Sequence, residues 1–479
     1  GILNARERIE RLFDPNTFLE TGLFSTSANP DDQATTPADG KITGVGKING
    51  KMAAVVANDF TVKGASSSPV NSKKIEHMKE LSRTRGIPLI FLGESSGGRI
   101  PDVMGSRGMI GGGSNPIQYM RKRESPWVSA VLGPCYGSST WYTVLSDFVV
   151  MRKGATLAVS SPKLVSTATG EEVDPEELGG WRVHAEITGI ADVIVDRDEE
   201  AIEIIKKYLS YVPSNQNEAP ERAPVPEGSD EGLEKILDYL PESRSKVYDV
   251  RKIIQCIVDK NSFFELKSRF GKSLVTAFSR IDGRTVGIIA NNPIFKGGAI
   301  DVEAAEKATS FIVQCDSFNI PLVFLVDQPG FLIGLEAERR KMPGKIMNWM
   351  NALTLCTVPK IAIIMRKSYG QAFLNMGGGG NAHEMAAWWT AEISFMDPNH
   401  AVNVLYGLRR EDNPEQYDRH LIEITRDTTA YSLASIYGIQ NVIDPRETRN
   451  YLKQVLEVYA NNMNNGIGKH LMAAWPTTY

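Results

Sequence analysis

Two short stretches hold the residues whose types and spacing could do chemistry: Gly133-Pro134-Cys135-Tyr136-Gly137-Ser138 and Lys367-Ser368-Tyr369-Gly370-Gln371-Ala372. Each follows an apolar run that reads as a buried strand. A small-residue turn between a strand and a helix leaves backbone N–H groups pointing outward with no intrahelical partner. Such groups suit negative charge developing on an oxygen, an enolate or a ureido oxygen, with no catalytic side chain needed. The same pattern also serves a tight turn that needs glycine for packing alone. The pattern leaves both readings open.

Other groups have two readings each. Glu94 and Asp327 end earlier apolar runs; they read as general bases, or as helix caps and partners of a local cation. Lys73, Lys74, Arg83 and Arg85 lie on one predicted helix and could meet a nucleotide's phosphates, or simply face solvent. Gly377 to Gly380, in MGGGGNAHE, resembles a phosphate cradle but lacks the GxxxxGK[ST] lysine and a GxGxxG frame. A lid or a packing turn is the other reading. The six histidines show no HxxxH spacing and the four cysteines no CxxC, so no metal site is expected.

The elements that must position these turns occur twice. IPLIFLGESSGG (87–98) returns as IPLVFLVDQPGF (320–331), an apolar run closed by an acidic residue and followed by a turn. RERIERLFDPNTFLE (6–20) matches RKIIQCIVDKNSFFE (251–265), an amphipathic helix and a turn. Asn49-Gly50 and Asp282-Gly283 are two-residue hairpin signals between alternating strands. Lys63-Gly64-Ala65 matches Lys296-Gly297-Gly298-Ala299, and a helix then leads to the repeated strand. Strands alternating with helices at this spacing predict right-handed crossovers and an α/β fold in two tandem copies. The Pro-rich stretch 213–232 reads as the join, giving domains 1–225 and 226–479.

Composition excludes some classes. At 479 residues the chain needs at least two cores. A net charge of −4 supplies no field for nucleic acid or an anionic membrane surface. No apolar run reaches the ~18 residues of a membrane span. Scattered cysteines predict a reducing, cytoplasmic setting. The opening GILNARERIERLF is charged throughout and does not read as a signal peptide.

Taken together, RERIERLFD, DFTVKGAS, GESSGGRIPD, GPCYGSSTWYTVLSDFVVM, TATGEEVDPEELGG, YLPESRSKVYDVR, GRTVGIIANNP, FNIPLVFLVDQPGFLIG and RKSYGQAF resemble the carboxyltransferase (β) subunits of biotin-dependent acyl-CoA carboxylases. Propionyl-CoA carboxylase and methylmalonyl-CoA carboxyltransferase or decarboxylase are the nearest types. The resemblance covers nearly the whole chain. It implies two crotonase-like (ββα superhelix) domains, with an active site between the N-domain of one subunit and the C-domain of another. It also implies a homo-oligomer, a dimer or a hexamer built as a trimer of dimers.

By the same resemblance, the first turn, Gly137 and Ser138, holds the acyl-CoA thioester oxygen. The second, Gln371 and Ala372, holds the ureido oxygen of biotin, with Gly370 shaping it and Gly330 and Phe331 beside it. Lys63, Gly64, Ala65, Lys73, Lys74, Gly97 and Gly98 are expected on the acyl-CoA side, and Leu374 where relatives tune acyl-chain choice. Biotin is expected on a separate carrier protein, with a biotin carboxylase subunit as a further partner, because the sequence has neither an Ala-Met-Lys-Met segment nor an ATP-binding motif. Many relatives have Gly-Gly where this chain has Gly137-Ser138, and Gly-Gly-Ala where it has Gly370-Gln371-Ala372. The alternatives are a biotin-linked decarboxylase α subunit running the reaction backwards, a crotonase-type enoyl-CoA hydratase or isomerase, and a non-catalytic scaffold.

Overall fold

The computed structural model describes residues 1–106, 108 and 115–476. The chain divides into two compact units, Gly1–Ala219 with the residues from Ala473, and Pro220–Met472. The join falls inside the Pro-rich stretch. The last residues, expected with the second half, pack with the first. There the buried Arg123 uses Nη1 to cap the carbonyls of Ala473 (2.9 Å) and Trp475 (2.7 Å). Residues 477–479 lie outside the described residues.

In the first unit, helix α1 (Ala5–Leu12) is followed by the hairpin β1 (Lys41–Ile48) and β2 (Lys51–Asn58). The hairpin turns on Asn49 and Gly50, both at positive φ (49° and 81°), as its Asn-Gly dipeptide predicts. Helix α2 (Pro69–Arg85) crosses over, capped at its start by Ser68 and ended by left-handed Gly86. It leads into β3 (Leu89–Ser95), every residue of which is buried. Next come β4 (Trp127–Tyr136) and helix α3 (Ser138–Leu145). β2, β3 and β4 are parallel neighbours in an eight-stranded sheet. Helices covering both faces explain why β3 reads as a continuous apolar run.

The second unit repeats this order. Helix α4 (Val250–Ile257) precedes the hairpin β5 (Leu274–Ile281) and β6 (Arg284–Asn291), which turns on Asp282 and Gly283 at φ 54° and 75°. Helix α5 (Val302–Ser317) leads to β7 (Leu322–Gln328), then β8 (Lys360–Tyr369) and the single helical turn α6 (Ala372–Asn375). This sheet is also eight-stranded. Both units are thus α/β with a parallel core, as the repeat predicts.

Two lysines show how closely the copies agree. Lys74 Nζ donates to the carbonyls of Gly22, Ala38 and Lys41. Lys307, 233 positions on, donates to those of Lys267, Phe270 and Leu274. An ammonium has three donors, and each lysine spends all three on backbone carbonyls, the last of them at the first residue of a strand, Lys41 or Leu274. Burial nonetheless pulls them down, Lys74 to about 8 and Lys307 to about 7.

Candidate active site

The register of the parallel strands builds the site. In the first unit Ser95 of β3 stands opposite Cys135 of β4. Three residues further along each chain come Gly98 and Ser138. In the second unit Gln328 of β7 stands opposite Ser368 of β8, and three residues on come Phe331 and Gln371. Each pair joins the residue after a strand-end turn to the first residue of a tight strand–helix turn.

Glycine makes both tight turns possible. Gly137 has φ +66° and ψ −131°, and Gly370 has φ +65°, conformations that side chains resist. Ser138 and Gln371 are ordinary; Gln371 sits at φ −58° and ψ −30°. The replacement of glycine by serine and glutamine at these positions therefore strains nothing.

One expectation is corrected here. Gly137 was expected to offer its amide to the thioester oxygen, but that N–H donates to the Val159 carbonyl at 3.2 Å. The Gly370 amide is likewise spent, on the Ser394 carbonyl at 3.0 Å. Both glycines shape the turns without donating into the cleft. Among the described residues no protein acceptor takes the amides of Gly98, Ser138 and Ser139, or of Phe331, Gln371 and Ala372. A Cβ built on Gly137 would lie 3.9 Å from the Gly98 nitrogen, so the strand-end amide and the turn are neighbours.

The Lys-Gly turns fix this approach from the other side. Lys63, Gly64 and Ala65 all have positive φ (49°, 61° and 48°). The Gly64 carbonyl accepts the Ser96 amide at 2.9 Å, and the buried Ala65 carbonyl accepts Lys41 Nζ and Ser95 Oγ. Ser67 then forms an isolated parallel bridge with Gly98, donating to the Gly97 carbonyl at 2.8 Å. Ile300 makes the same bridge with Phe331, donating to the Gly330 carbonyl at 3.1 Å. Gly97 and Gly330 thus lend carbonyls to the scaffold and leave the next amide free.

The remaining candidates fall elsewhere. Lys74 was expected to bind substrate; its commitment to three backbone carbonyls makes it a structural cation instead. Lys63 Nζ pairs with Asp32 at 2.9 Å on the surface. Lys73 is exposed on α2. Leu374 packs against the glycine run, where a Cβ on Gly379 would meet its Cδ2 at 2.5 Å. A Cβ on Gly378 would meet the Phe373 ring at 2.4 Å. MGGGG is therefore a packing turn beneath α6.

Neither strand-end carboxylate is free to act as a base. Glu94 pairs with buried Arg8 Nη1 at 2.9 Å. Asp327, fully buried, accepts from Arg366 Nε at 2.9 Å, the Tyr248 hydroxyl at 2.7 Å and the Lys367 amide at 3.1 Å. Among the described residues no group of His, Cys, Asp and Glu is arranged to hold a metal. What is left is a pair of backbone pockets able to stabilise an oxyanion.

Serines at 67 and 138 drew no attention in the sequence as partners. Between Asn49 and Ser138 the copies run 233 residues apart, which puts Ile300 and Gln371 at the corresponding positions of the second copy, neither of them a hydroxyl.

A family model for the carboxyl transferase domain matches residues 1–471. The carboxyltransferase subunit of propionyl-CoA carboxylase from Haloferax mediterranei is 36% identical over 465 residues, 94% of this chain and 89% of that one. The 12S subunit of methylmalonyl-CoA carboxyltransferase from Propionibacterium freudenreichii subsp. shermanii is 36% identical over 472 residues, 96% and 89% of the two chains. The crystal structure of transcarboxylase 12S, a hexamer with methylmalonyl-CoA and methylmalonic acid bound, superposes with a TM-score of 0.89 at 34% identity, covering 96% of this chain and 91% of that one.

Proposed function

The chain belongs to the carboxyl transferase family, and on that premise we propose how its two backbone pockets divide the transfer of a carboxyl group between biotin and the α-carbon of an acyl-CoA. It is a biotin-dependent acyl-CoA carboxyltransferase of two crotonase-like units. The observation that carries the reading is the repeated register that sets Ser95 opposite Cys135 and Gln328 opposite Ser368, three residues before Gly98 and Ser138 in one unit and Phe331 and Gln371 in the other.

In this reading the amides of Gly98 and Ser138 bind the thioester oxygen and hold it as an enolate. The amides of Phe331 and Gln371, with Ala372 behind them, bind the ureido oxygen. The donor set fits that group: uncommitted N–H donors, with the neighbouring carboxylate of Asp327 already neutralised. Biotin, when bound, carries the carboxyl group and supplies the nitrogen that takes the α proton. The chain itself needs only to hold two developing oxyanions, each lost donor costing roughly 10²–10³ in rate. That is consistent with Glu94 and Asp327 being spent on buried arginines.

The acyl group is short, in keeping with the propionyl and methylmalonyl thioesters that name the relatives. A biotin carrier protein and a biotin carboxylase subunit are the partners, and a second copy of this chain completes the site. Mixing the purified chain with a panel of acyl-CoAs and malonyl-type CoAs, with free biotin or a biotinylated carrier, tests the reading. Carboxyl exchange between a thioester and biotin is the expected result. Hydration of an enoyl-CoA with no exchange would overturn it.

A further inference from the structure

The acyl-side pocket differs from its copy in one respect. Ser138 Oγ lies 2.7 Å from Ser67 Oγ. Ser67 is the residue bridged to Gly98, so this contact ties together the two segments whose amides face the cleft. In the second unit Ile300 takes the place of Ser67 and Gln371 that of Ser138, and no such tie exists. The duplication supplies its own control: the fold builds this pocket without the hydroxyls.

A proton count shows what the pair can do. Each serine hydroxyl has one proton and two lone pairs. Two hydroxyls linked by one bond use one proton, so one remains. Both serines are half-buried. The spare O–H of the pair therefore lies beside the Gly98 and Ser138 amides.

We propose that the Ser67–Ser138 hydroxyl pair is a third, side-chain donor in the acyl-side oxyanion pocket, particular to that side of the reaction. It rests on the assignment of the first unit to the acyl-CoA. It also explains why serine is tolerated at a turn position that chemistry needs only for its amide.

The test compares Ser67→Ala, Ser138→Ala, the double variant and Ser138→Thr with wild type, reading kcat, the KM for acyl-CoA, Tm, and loss of CO2 from a carboxylated biotin carrier without acyl-CoA. Each alanine variant should lose roughly 10- to 100-fold in kcat, less than or at most equal to the ~10² at the low end for an oxyanion donor, because the backbone amides remain. The double variant should lose no more than either alone, and Ser138→Thr should recover most of the loss. KM, Tm and the carrier reaction should stay at wild-type values. Wild-type kcat in Ser138→Ala, or a loss that appears in KM, Tm or the carrier reaction, would overturn the proposal. Wild type is assayed first; if it transfers nothing to any thioester, the function falls before any variant is compared.

Discussion

Gly137 and Gly370 bend the chain through the same angle, at φ +66° and +65°, and each spends its amide on a neighbouring carbonyl, Val159 at 3.2 Å and Ser394 at 3.0 Å. Their role is to aim the next amide.

A side chain at either glycine should misaim it. A Cβ on Gly137 would sit 3.3 Å from Gly97 Cα, and one on Gly370 would sit 3.2 Å from the Phe395 carbonyl oxygen. Positive φ adds ~1–2 kcal/mol of strain. Gly137→Ala and Gly370→Ala should each fold with a lowered Tm and lose at least ~10²-fold in carboxyl transfer. Near-normal transfer by either folded variant would mean the turns do not aim a donor.

Proline deletes the amide donor itself, at Ser138 together with the hydroxyl. Ser138 is the first residue of α3 and Gln371 has φ −58°, so both positions accept proline's fixed φ. Ser138→Pro should cut transfer by roughly 10²–10³ while CO2 loss from a carboxylated carrier persists; Gln371→Pro should cut that carrier reaction itself. Identical effects of the two substitutions on the carrier reaction would refute the division between the units.

Asp327 should matter for stability rather than for proton transfer. Asp327→Asn leaves the Arg366 guanidinium buried without its counter-charge, at a cost of ~3–5 kcal/mol. Denaturant titration should show that loss, while the pH–rate profile of the folded fraction keeps its shape. A limb missing from that profile would restore Asp327 as a base.

Lys307 makes a pH-dependent prediction. Burial holds it at about 7 against an ordinary 10.5. Between those values the unfolded chain binds the extra proton, so stability rises with pH across the window and is flat below about 7. Lys307→Met removes this dependence and strands three carbonyls. The stability of wild type over the variant should therefore grow from pH 7 to 10, by up to ~1.4 kcal/mol per pH unit. A gap that narrows over that range would show the lysine to be charged at ease.

The repeat made the fold legible, because apolar strands, Asn49-Gly50 and Asp282-Gly283 each announce themselves within a few residues. The turns at 137 and 370 were legible too, since glycine after a buried strand has few uses. Which amide each turn offers was not. Gly137 and Ser138 are adjacent in the chain, and only the position of Val159 shows that the first is already engaged. Lys73 and Lys74 look alike in sequence, yet one faces water and the other is enclosed by the carbonyls of Gly22, Ala38 and Lys41. Helical spacing alone could not say which side faced the core.

By itself, then, the sequence determined the duplication, the α/β class, the family and the two turns, because these depend on local pattern. Tertiary structure decided which donors are free, that Glu94 and Asp327 are spent on arginines, and that Ser67 meets Ser138. Those outcomes depend on hydrogen-bond partners far apart in the chain, and an N–H or a carboxylate is available for chemistry only when no such partner has taken it.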